Sequence, residues 1–418
     1  MNHKLLLITL IALFLSACVG TQSMLVEDQP LEGLTITIDP GHGNSRGYDS
    51  FRQGPSGERE EWINLRVAKI LARKLSLAGA QVLLTRTKDH DVSLAGRAAL
   101  AKKHESDLFV SIHHNGSKHD PGMDMPMVYF YGDAEMNPAS VDFAKILLDS
   151  MQAEMTFEQP ASGAIFSDHL IYSSGTSVLR NTYDHMPGII GEAGFFTHPA
   201  GENRLKDKDY NQLEAGVYYK AILDYYERGF PFATPLVADS LEYIDLSRSI
   251  DFDLNDGFGN TFFEENSFKV LQDGKRIPST YHSNTGILTA QPDSAHGKRV
   301  TFQVFARNLT GNAMHPKPFT FLTKAGFEWY THQTWQDAYV AAGQEYHIFE
   351  SKGDLTALES ALHLYELSLE LQIVHPNART AEERILELLR QKQELLDEDL
   401  SEEISTQESR ILNYYPSY

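Results

Sequence analysis

Three segments of the chain carry side chains that could bind a metal ion and support hydrolysis. His42 stands between two glycines, an acidic run occupies residues 58–61, and His113 and His114 follow one another before an asparagine. Two imidazoles and one carboxylate, with a fourth position left to water, are the ligand set of a catalytic zinc site. Zinc lowers the pKa of its water toward neutrality and polarises a carbonyl under attack. Strand parity cannot decide between His113 and His114, because adjacent strand residues point to opposite faces.

A zinc hydrolase also needs a general base that does not bind the metal. Glu192 is the candidate for this role. It follows the apolar pair Ile189 and Ile190, which predicts a buried strand, and a glycine precedes it. The sequence therefore predicts three metal ligands and a separate carboxylate that accepts a proton.

Buried strands and a helix are predicted to position these groups. Residues 34–38 form an apolar strand that runs into an Asp-Pro-Gly turn before His42, and residues 108–113 form a second such strand. Proline presets the φ angle of the turn, and glycine lets the backbone approach a ligand closely. Residues 64–78 carry apolar side chains at helical spacing. Taken alone, Glu60 is better explained as an ordinary first-turn acid favoured by the helix dipole than as a metal ligand.

These motifs resemble those of the zinc-dependent N-acetylmuramoyl-L-alanine amidases of the Amidase_3 type, which cleave peptidoglycan. Their order and spacing agree over about residues 34 to 228. The segments that carry the resemblance are Asp39-Pro-Gly-His-Gly43, Glu60-Glu61-Trp-Ile-Asn64-Leu65, Leu84-Thr-Arg86, Ser93-Leu-Ala-Gly-Arg97, Ser111-Ile-His113-His-Asn115, Val178-Leu-Arg180 and Glu192-Ala-Gly-Phe195.

The resemblance implies a role for each candidate residue. His42, Glu60 and His113 fall on the positions of the zinc ligands, and Glu192 falls on that of the catalytic base. The implied reaction is hydrolysis of the amide between N-acetylmuramic acid and L-alanine of the stem peptide by a zinc-activated water. One departure is Glu61, where the family usually has lysine. We expect Glu61 to face solvent and to tune the local charge.

The remaining polar residues of these motifs are expected to have structural roles. His114 is predicted to be a packed or surface side chain. Arg86 and Arg97 are predicted to pair with buried carboxylates, and Arg180 is left open between substrate contact and scaffold. Five other histidines in polar contexts are predicted to be solvated: His104, His119, His169, His185 and His198.

The N-terminus has the pattern of a bacterial lipoprotein precursor. A short positive start and an apolar stretch, too short to span a bilayer permanently, fill residues 1–17 and end in Leu-Ser-Ala-Cys18, which resembles a lipobox. The resemblance implies lipidation of Cys18, the only cysteine of the chain. Residues 18–33 are predicted to be a tether. Val19 in place of aspartate favours the outer membrane, facing the periplasm, if the cell has two membranes.

Composition limits the classes of partner. The formal net charge of the 418-residue chain is -21, which argues against nucleic acid, since nucleic-acid binding requires a basic surface. The predicted partners are peptidoglycan, the membrane through the lipid anchor, and an envelope protein that would bind residues 238–418. The predicted location is the cell envelope.

The fold predicted for the amidase part is α/β, with a mostly parallel twisted sheet flanked by helices. A small, immunoglobulin-like β-sandwich and a C-terminal helical segment are predicted to follow it. The predicted boundaries are 34–228 for the amidase domain, 229–235 for a linker, 238–323 for the sandwich, 328–400 for the helices and 401–418 for a tail whose end is loosely ordered.

Two other functions stay open at this level. A fold of this type could bind peptidoglycan without cleaving it, or it could act as a zinc peptidase on the stem peptide. The intact ligand set argues against the first, and the family spacing argues against the second. All the matched motifs lie before residue 200, so residues 238–418 are predicted to be dispensable for the chemistry and to serve targeting.

Overall fold

The computed structural model describes residues 29–44, 52–237, 244–293, 299–323, 335–371, 377–396 and 399–414. The predicted signal peptide and Cys18 lie outside these residues. The last part of the predicted tether does not match the structure, because Leu31 is fully buried in the core and its N–H donates to the carbonyl of Ala78 at 2.9 Å. A tether, if present, therefore ends before Leu31.

The first domain is built on a six-stranded sheet in the order β2-β1-β3-β6-β4-β5, which is parallel except where β4 pairs antiparallel with β6. This confirms the predicted mostly parallel α/β fold. The sequence did not predict β5, a four-residue edge strand of partly buried residues. The strands are β1 (Thr35–Pro40), β2 (Gln81–Leu84), β3 (Leu108–Asn115), β4 (Pro126–Phe130), β5 (Ala164–Ser167) and β6 (Gly188–Phe195).

Helices cover both faces of this sheet. Their bounds are α1 (Glu60–Leu77), α2 (Leu94–Lys103), α3 (Pro138–Glu154), α4 (Ser177–Arg180), α5 (Pro199–Lys206) and α6 (Lys208–Glu227). Successive side chains of β3 point to opposite faces. Leu108 and Val110 therefore join the large core under α1, α3 and α6, whereas Phe109 packs with residues of α2 and α4.

Two four-stranded antiparallel sheets follow and share one hydrophobic core, to which Phe252, Leu288 and Phe302 contribute. This arrangement confirms the predicted small β-sandwich. Its strands are β7 (Phe232–Pro235), β8 (Ile250–Asn255), β9 (Lys269–Gln272), β10 (Lys275–Ile277), β11 (Ser279–His282), β12 (Ile287–Ala290), β13 (Arg299–Phe305) and β14 (Phe319–Leu322).

The predicted linker at residues 229–235 is wrong over its second half, because β7 forms there as an edge strand that pairs with β8. Pro235 suggested a loop, but an edge strand tolerates proline because one side of its backbone needs no ladder hydrogen bond. Ala233 packs against the sandwich core. The first domain therefore passes into the sandwich with no long free connection.

Polar contacts fasten the sandwich to the end of α6. Asn312 Nδ2 donates to the carbonyls of Tyr225 and Gly229 at 2.7 and 2.9 Å. Tyr225 belongs to the last turn of α6, whose carbonyls lack partners within the helix, and Gly229 follows the end of the helix. Asp142 on α3 accepts hydrogen bonds from Arg307 Nη1 at 2.7 Å and from the N–H of Ala313 at 2.9 Å.

The last region is helical, as predicted, and its described residues form four helices: α7 (Trp335–Lys352), α8 (Leu355–Leu371), α9 (Ala378–Leu396) and α10 (Ser401–Tyr414). Residues 401–414 of the predicted tail form α10, a helix that the sequence did not predict. Gln407 on α10 is buried and donates to the carbonyl of Glu382 on α9 at 3.0 Å. Within the described ranges, no helix combines the length and the apolar character that crossing a bilayer requires.

Candidate metal centre

Parallel pairing of β1 and β3 brings the two candidate histidine ligands to one edge of the sheet. Pro40 at the end of β1 pairs with Ile112 of β3, one residue before His113. The N–H of Gly41 donates to the carbonyl of Ile112 at 2.9 Å, which keeps the turn against β3. A Cβ atom at position 41 would lie 2.2 Å from the His113 ring, so only glycine fits there.

The turn holds His42 in an uncommon backbone conformation. Its φ angle is 59°, in the left-handed region that few residues other than glycine occupy. Such strain persists where surrounding contacts impose it, often at functional sites. One such contact is a hydrogen bond from Arg97 Nη2 to the carbonyl of His42 at 2.6 Å.

Glu60 completes the group from the first residue of α1. Glu60 Oε2 lies 3.0 Å from His42 Nε2, and Glu60 Oε1 lies 3.0 Å from His113 Nδ1. One candidate ligand atom from each residue lies within 4.8 Å of the other two. The Glu60 side chain is 5% exposed and that of His42 is 33% exposed, so the group opens to solvent beside His42.

The residues present fit a zinc ion. Two imidazole nitrogens and a carboxylate converge, and one side stays open, which is the donor set of a catalytic site. Burial alone would raise the pKa of Glu60, but His42 and His113 hold this pKa well below its usual value. Glu60 is therefore an anion, as a metal ligand must be.

Glu192 lies beside this group and does not belong to it. In the sheet it is in register with His113 on one side and with Met127 on the other. Its Oε2 atom is buried and has no hydrogen-bond partner among the described residues. Burial raises the pKa of Glu192 to about 7, with Glu60 adding to the rise and His113 opposing it. An unpartnered carboxylate with a pKa near neutrality is suited to accept and return a proton.

The prediction that Arg86 and Arg97 are structural agrees with their contacts. Arg97 pairs with Asp39 at 2.7 Å, and both side chains are almost fully buried. Burial alone would raise the pKa of Asp39, but Arg97 and two hydroxyl donors lower this pKa. Arg86 differs from the prediction in its acceptors, since it donates to the backbone carbonyls of Pro40, Gly41 and Glu61, each at 2.8 Å.

The expectation that Glu61 faces solvent is wrong. Its side chain is fully buried, and Arg59 Nε donates to its Oε1 atom. The first turn of α1 packs against the loop that carries Arg86, and the Glu61 side chain therefore has no access to solvent. The charge of Glu61 also opposes the lowering of the Arg86 pKa that burial causes. Two guanidinium groups therefore offset the negative charge that stands where the family usually has lysine.

His114 is packed, which is one of the two predicted outcomes. It makes a contact with Glu214 that the sequence did not suggest. Its side chain is fully buried and bonds to Asn64 and Glu214. Asn64 belongs to a matched motif, so a role near the site was foreseeable. Glu214 carried no comparable signal, since a charged residue within α6 is ordinarily expected on its exposed face.

The other candidate residues lie away from this group. His198 is partly buried and accepts the N–H of Gly201 at the start of α5 at 3.1 Å, whereas His104, His119, His169 and His185 are exposed. Arg180 Nη1 donates to the carbonyls of Ser174 and Gly175 at 3.0 and 3.3 Å, which favours the scaffold role.

Known proteins share the first domain. The family model described as N-acetylmuramoyl-L-alanine amidase matches residues 36–224. The uncharacterized protein YqiI of Bacillus subtilis is 32% identical over 204 residues, which are 48% of this chain and 88% of that protein. A Staphylococcus aureus protein described as a probable cell wall amidase, LytH, is 31% identical over 199 residues, which are 47% of this chain and 59% of that protein.

A solved structure also matches this half of the chain. The N-acetylmuramoyl-L-alanine amidase AmiC2 of Nostoc punctiforme is 30% identical, with a TM-score of 0.40, over 47% of this chain and 98% of that one. The family model ends at residue 224, so the sandwich and the C-terminal helices lie outside it.

Proposed function

The chain belongs to the N-acetylmuramoyl-L-alanine amidase family of hydrolases, and we propose that it cleaves the amide between N-acetylmuramic acid and L-alanine of the peptidoglycan stem peptide. The observation that carries the proposal is the convergence of His42, Glu60 and His113 beside Glu192, whose Oε2 atom is buried and has no hydrogen-bond partner among the described residues. This is a complete set of residues for metal-assisted hydrolysis, which a protein that only binds peptidoglycan would not need.

His42, Glu60 and His113 would hold a zinc ion. When bound, zinc would lower the pKa of a water molecule and polarise the amide carbonyl. Glu192 then accepts the proton that the water loses as its oxygen attacks the carbonyl carbon. The same carboxyl group returns the proton to the departing nitrogen of L-alanine, because a neutral amine is a better leaving group than a nitrogen anion.

Mass spectrometry of muropeptides after digestion with the mature protein tests this function. The expected products are stem peptides with a free L-alanine amine and glycans that keep the lactyl group. Cleavage within the stem peptide would instead identify a zinc peptidase. Cosedimentation with peptidoglycan and no cleavage would identify a binding protein.

We also propose that the protein is anchored in the cell envelope through a lipid on Cys18. Support comes from the lipobox-like sequence and from the family, whose substrate lies in the cell wall. Replacing Cys18 by serine is expected to move the protein from the membrane fraction to the soluble fraction of lysed cells. Incorporation of labelled fatty acid into the wild type and not into the variant is the direct measurement, and equal labelling of both would contradict lipidation at Cys18.

The third proposal is that the amidase domain works without residues 238–418, which would serve targeting to an envelope partner. The sandwich contacts residues 225–229, at and just after the end of α6, and Tyr225 is about 17 Å along the helix from Glu214, at 1.5 Å per residue. Glu214 contacts His114 behind the metal centre. The sandwich is thus fastened away from the candidate active site.

A fragment of residues 29–237 is therefore expected to bind zinc and to cleave soluble muropeptides with a kcat close to that of the whole chain. Its thermal stability should be lower, because Asp142 and the last carbonyls of α6 lose their partners from the sandwich. Zinc content, circular dichroism and kcat of the fragment and the whole chain are the measurements. A folded, zinc-loaded fragment that does not cleave would show that the C-terminal half completes the active site.

A further inference from the structure

Behind the metal centre, three polar side chains form a hydrogen-bonded chain that leads to Glu60. His114 Nε2 lies 3.1 Å from a carboxylate oxygen of Glu214, and His114 Nδ1 lies 2.8 Å from Asn64 Oδ1. Asn64 Nδ2 donates to Glu60 Oε1 at 3.3 Å and to the carbonyl of Gly41 at 3.2 Å. The side chains of Glu214, His114 and Asn64 are fully buried.

The direction of the hydrogen bonds around Asn64 follows from counting donors. The neighbours of Asn64 Nδ2, Glu60 and the Gly41 carbonyl, can only accept, so both protons of the amide nitrogen are used there. Asn64 Oδ1 therefore faces His114 and must accept. His114 Nδ1 carries the proton that this bond needs, and the orientation of Asn64 is fixed from both sides.

We propose that His114 and Glu214 are positioning residues, which hold Asn64 and, through it, set the ligand Glu60 for the metal. This inference rests on the proposed zinc centre.

Stability alone does not explain the pair. A buried polar pair is often no more stabilising than hydrophobic side chains of similar volume, because both groups lose their hydration. Both oxygens of Glu214 lie 3.1 Å from His114 Nε2, but only Oε2 has hydrogen-bond geometry, so Oε1 is buried without a hydrogen bond among the described residues. Holding a ligand in place is a role that a hydrophobic pair could not fill, since neither side chain could donate to Asn64.

The test compares zinc affinities of the full chain by competition with a chromophoric chelator. The double variant His114→Leu/Glu214→Leu removes both polar groups and keeps the core filled. We expect a folded protein whose zinc affinity is lower by about 10–100-fold, the usual effect of losing an outer partner of a metal ligand. In Glu214→Gln, the amide can donate to His114 Nε2 while Nδ1 still serves Asn64, so affinity should stay within about threefold of the wild type.

Asp142→Asn is the matched control, because Asp142 is a buried carboxylate in the contact with the sandwich. It should lower thermal stability and leave zinc affinity unchanged. Wild-type affinity in the double variant would overturn the positioning role and leave the proposed function standing. A wild type that binds no zinc would overturn both.

A measurement on the metal-free wild type needs no variant. Long-range nitrogen–proton correlation spectra of the imidazoles should show a proton on His114 Nδ1. A spectrum in which His114 Nδ1 carries no proton would overturn the proposal, because Asn64 Oδ1 would then have no donor.

Discussion

Replacing Glu192 by glutamine is expected to leave zinc bound and to lower kcat by about two to four orders of magnitude, the usual contribution of a general base. Glutamine has nearly the shape of glutamate and cannot accept a proton. Glu192 is not among the three residues that converge as candidate ligands, so its replacement should not release the metal. Zinc content and kcat on a defined muropeptide are the measurements.

Glu382→Gln provides the matched control for this substitution. Glu382 is a buried carboxylate on α9, in the C-terminal helical region. The same isosteric change there should leave both kcat and zinc content unchanged. Turnover near the wild-type rate in Glu192→Gln would show that another group accepts the proton.

The pH dependence of stability offers a second measurement on Glu192. Burial raises its pKa to about 7 in the metal-free protein, above the value of roughly 4.3 expected in the unfolded chain. The folded state therefore binds more protons between these two values, and this residue makes the protein less stable as pH rises from about 4 to 7. Glu192→Gln should remove this loss, so the metal-free variant should be the more stable protein at pH 8.

Activity should depend on pH in the opposite direction, rising as the pH increases through the pKa of Glu192. Glu192 must be ionised to accept a proton, so the rate should fall as the solution is acidified below its pKa. A nearby zinc ion favours the carboxylate, so the acid limb of the activity profile should lie below the pKa of the metal-free protein. An acid limb at the same pH in Glu192→Gln would assign that limb to another group.

The amidase fold and its candidate ligands could be predicted because local pattern and global fold agree there. The apolar runs before His42 and His113 are each long enough to specify a buried strand, and parallel strands bring their ends to one edge. The choice of His113 over His114 needed the resemblance. In the structure the two rings lie on opposite sides of the strand, with His113 toward Glu60 Oε1 and His114 toward Glu214.

The expectations that were wrong or missing share a physical cause. Whether a charged or loop-forming residue is buried depends on contacts that are distant in the sequence. Glu61 looks like a solvated first-turn acid until Arg59 and the Arg86 loop enclose it. Pro235 suggested a linker because its local sequence does not show the pairing with β8 that places it in an edge strand. Glu214 becomes a buried partner only when α6 packs behind His114.

Replacing His42 by alanine is expected to remove zinc and activity together. The variant keeps Glu60 and His113, which are too few ligands for a stable zinc site, since catalytic sites use three protein ligands. The loss in zinc affinity should exceed the roughly 10–100-fold that outer partners of metal ligands contribute. Glu60 would also lose the imidazole that contributes most to lowering its pKa, and so become a poorer anionic ligand.

Elemental analysis and muropeptide cleavage measure the two losses in the same preparation of His42→Ala. His185→Ala is the control, because His185 is an exposed histidine that pairs with Asp184 outside the metal centre; it should keep full zinc content and activity. Chelator treatment should inactivate the wild type, and added zinc should restore its activity, whereas the same addition should not restore His42→Ala. Full activity of the wild type after zinc is removed, or normal zinc content in His42→Ala, would contradict the proposed metal centre, because the geometry gives His42 a direct place beside Glu60 at 3.0 Å.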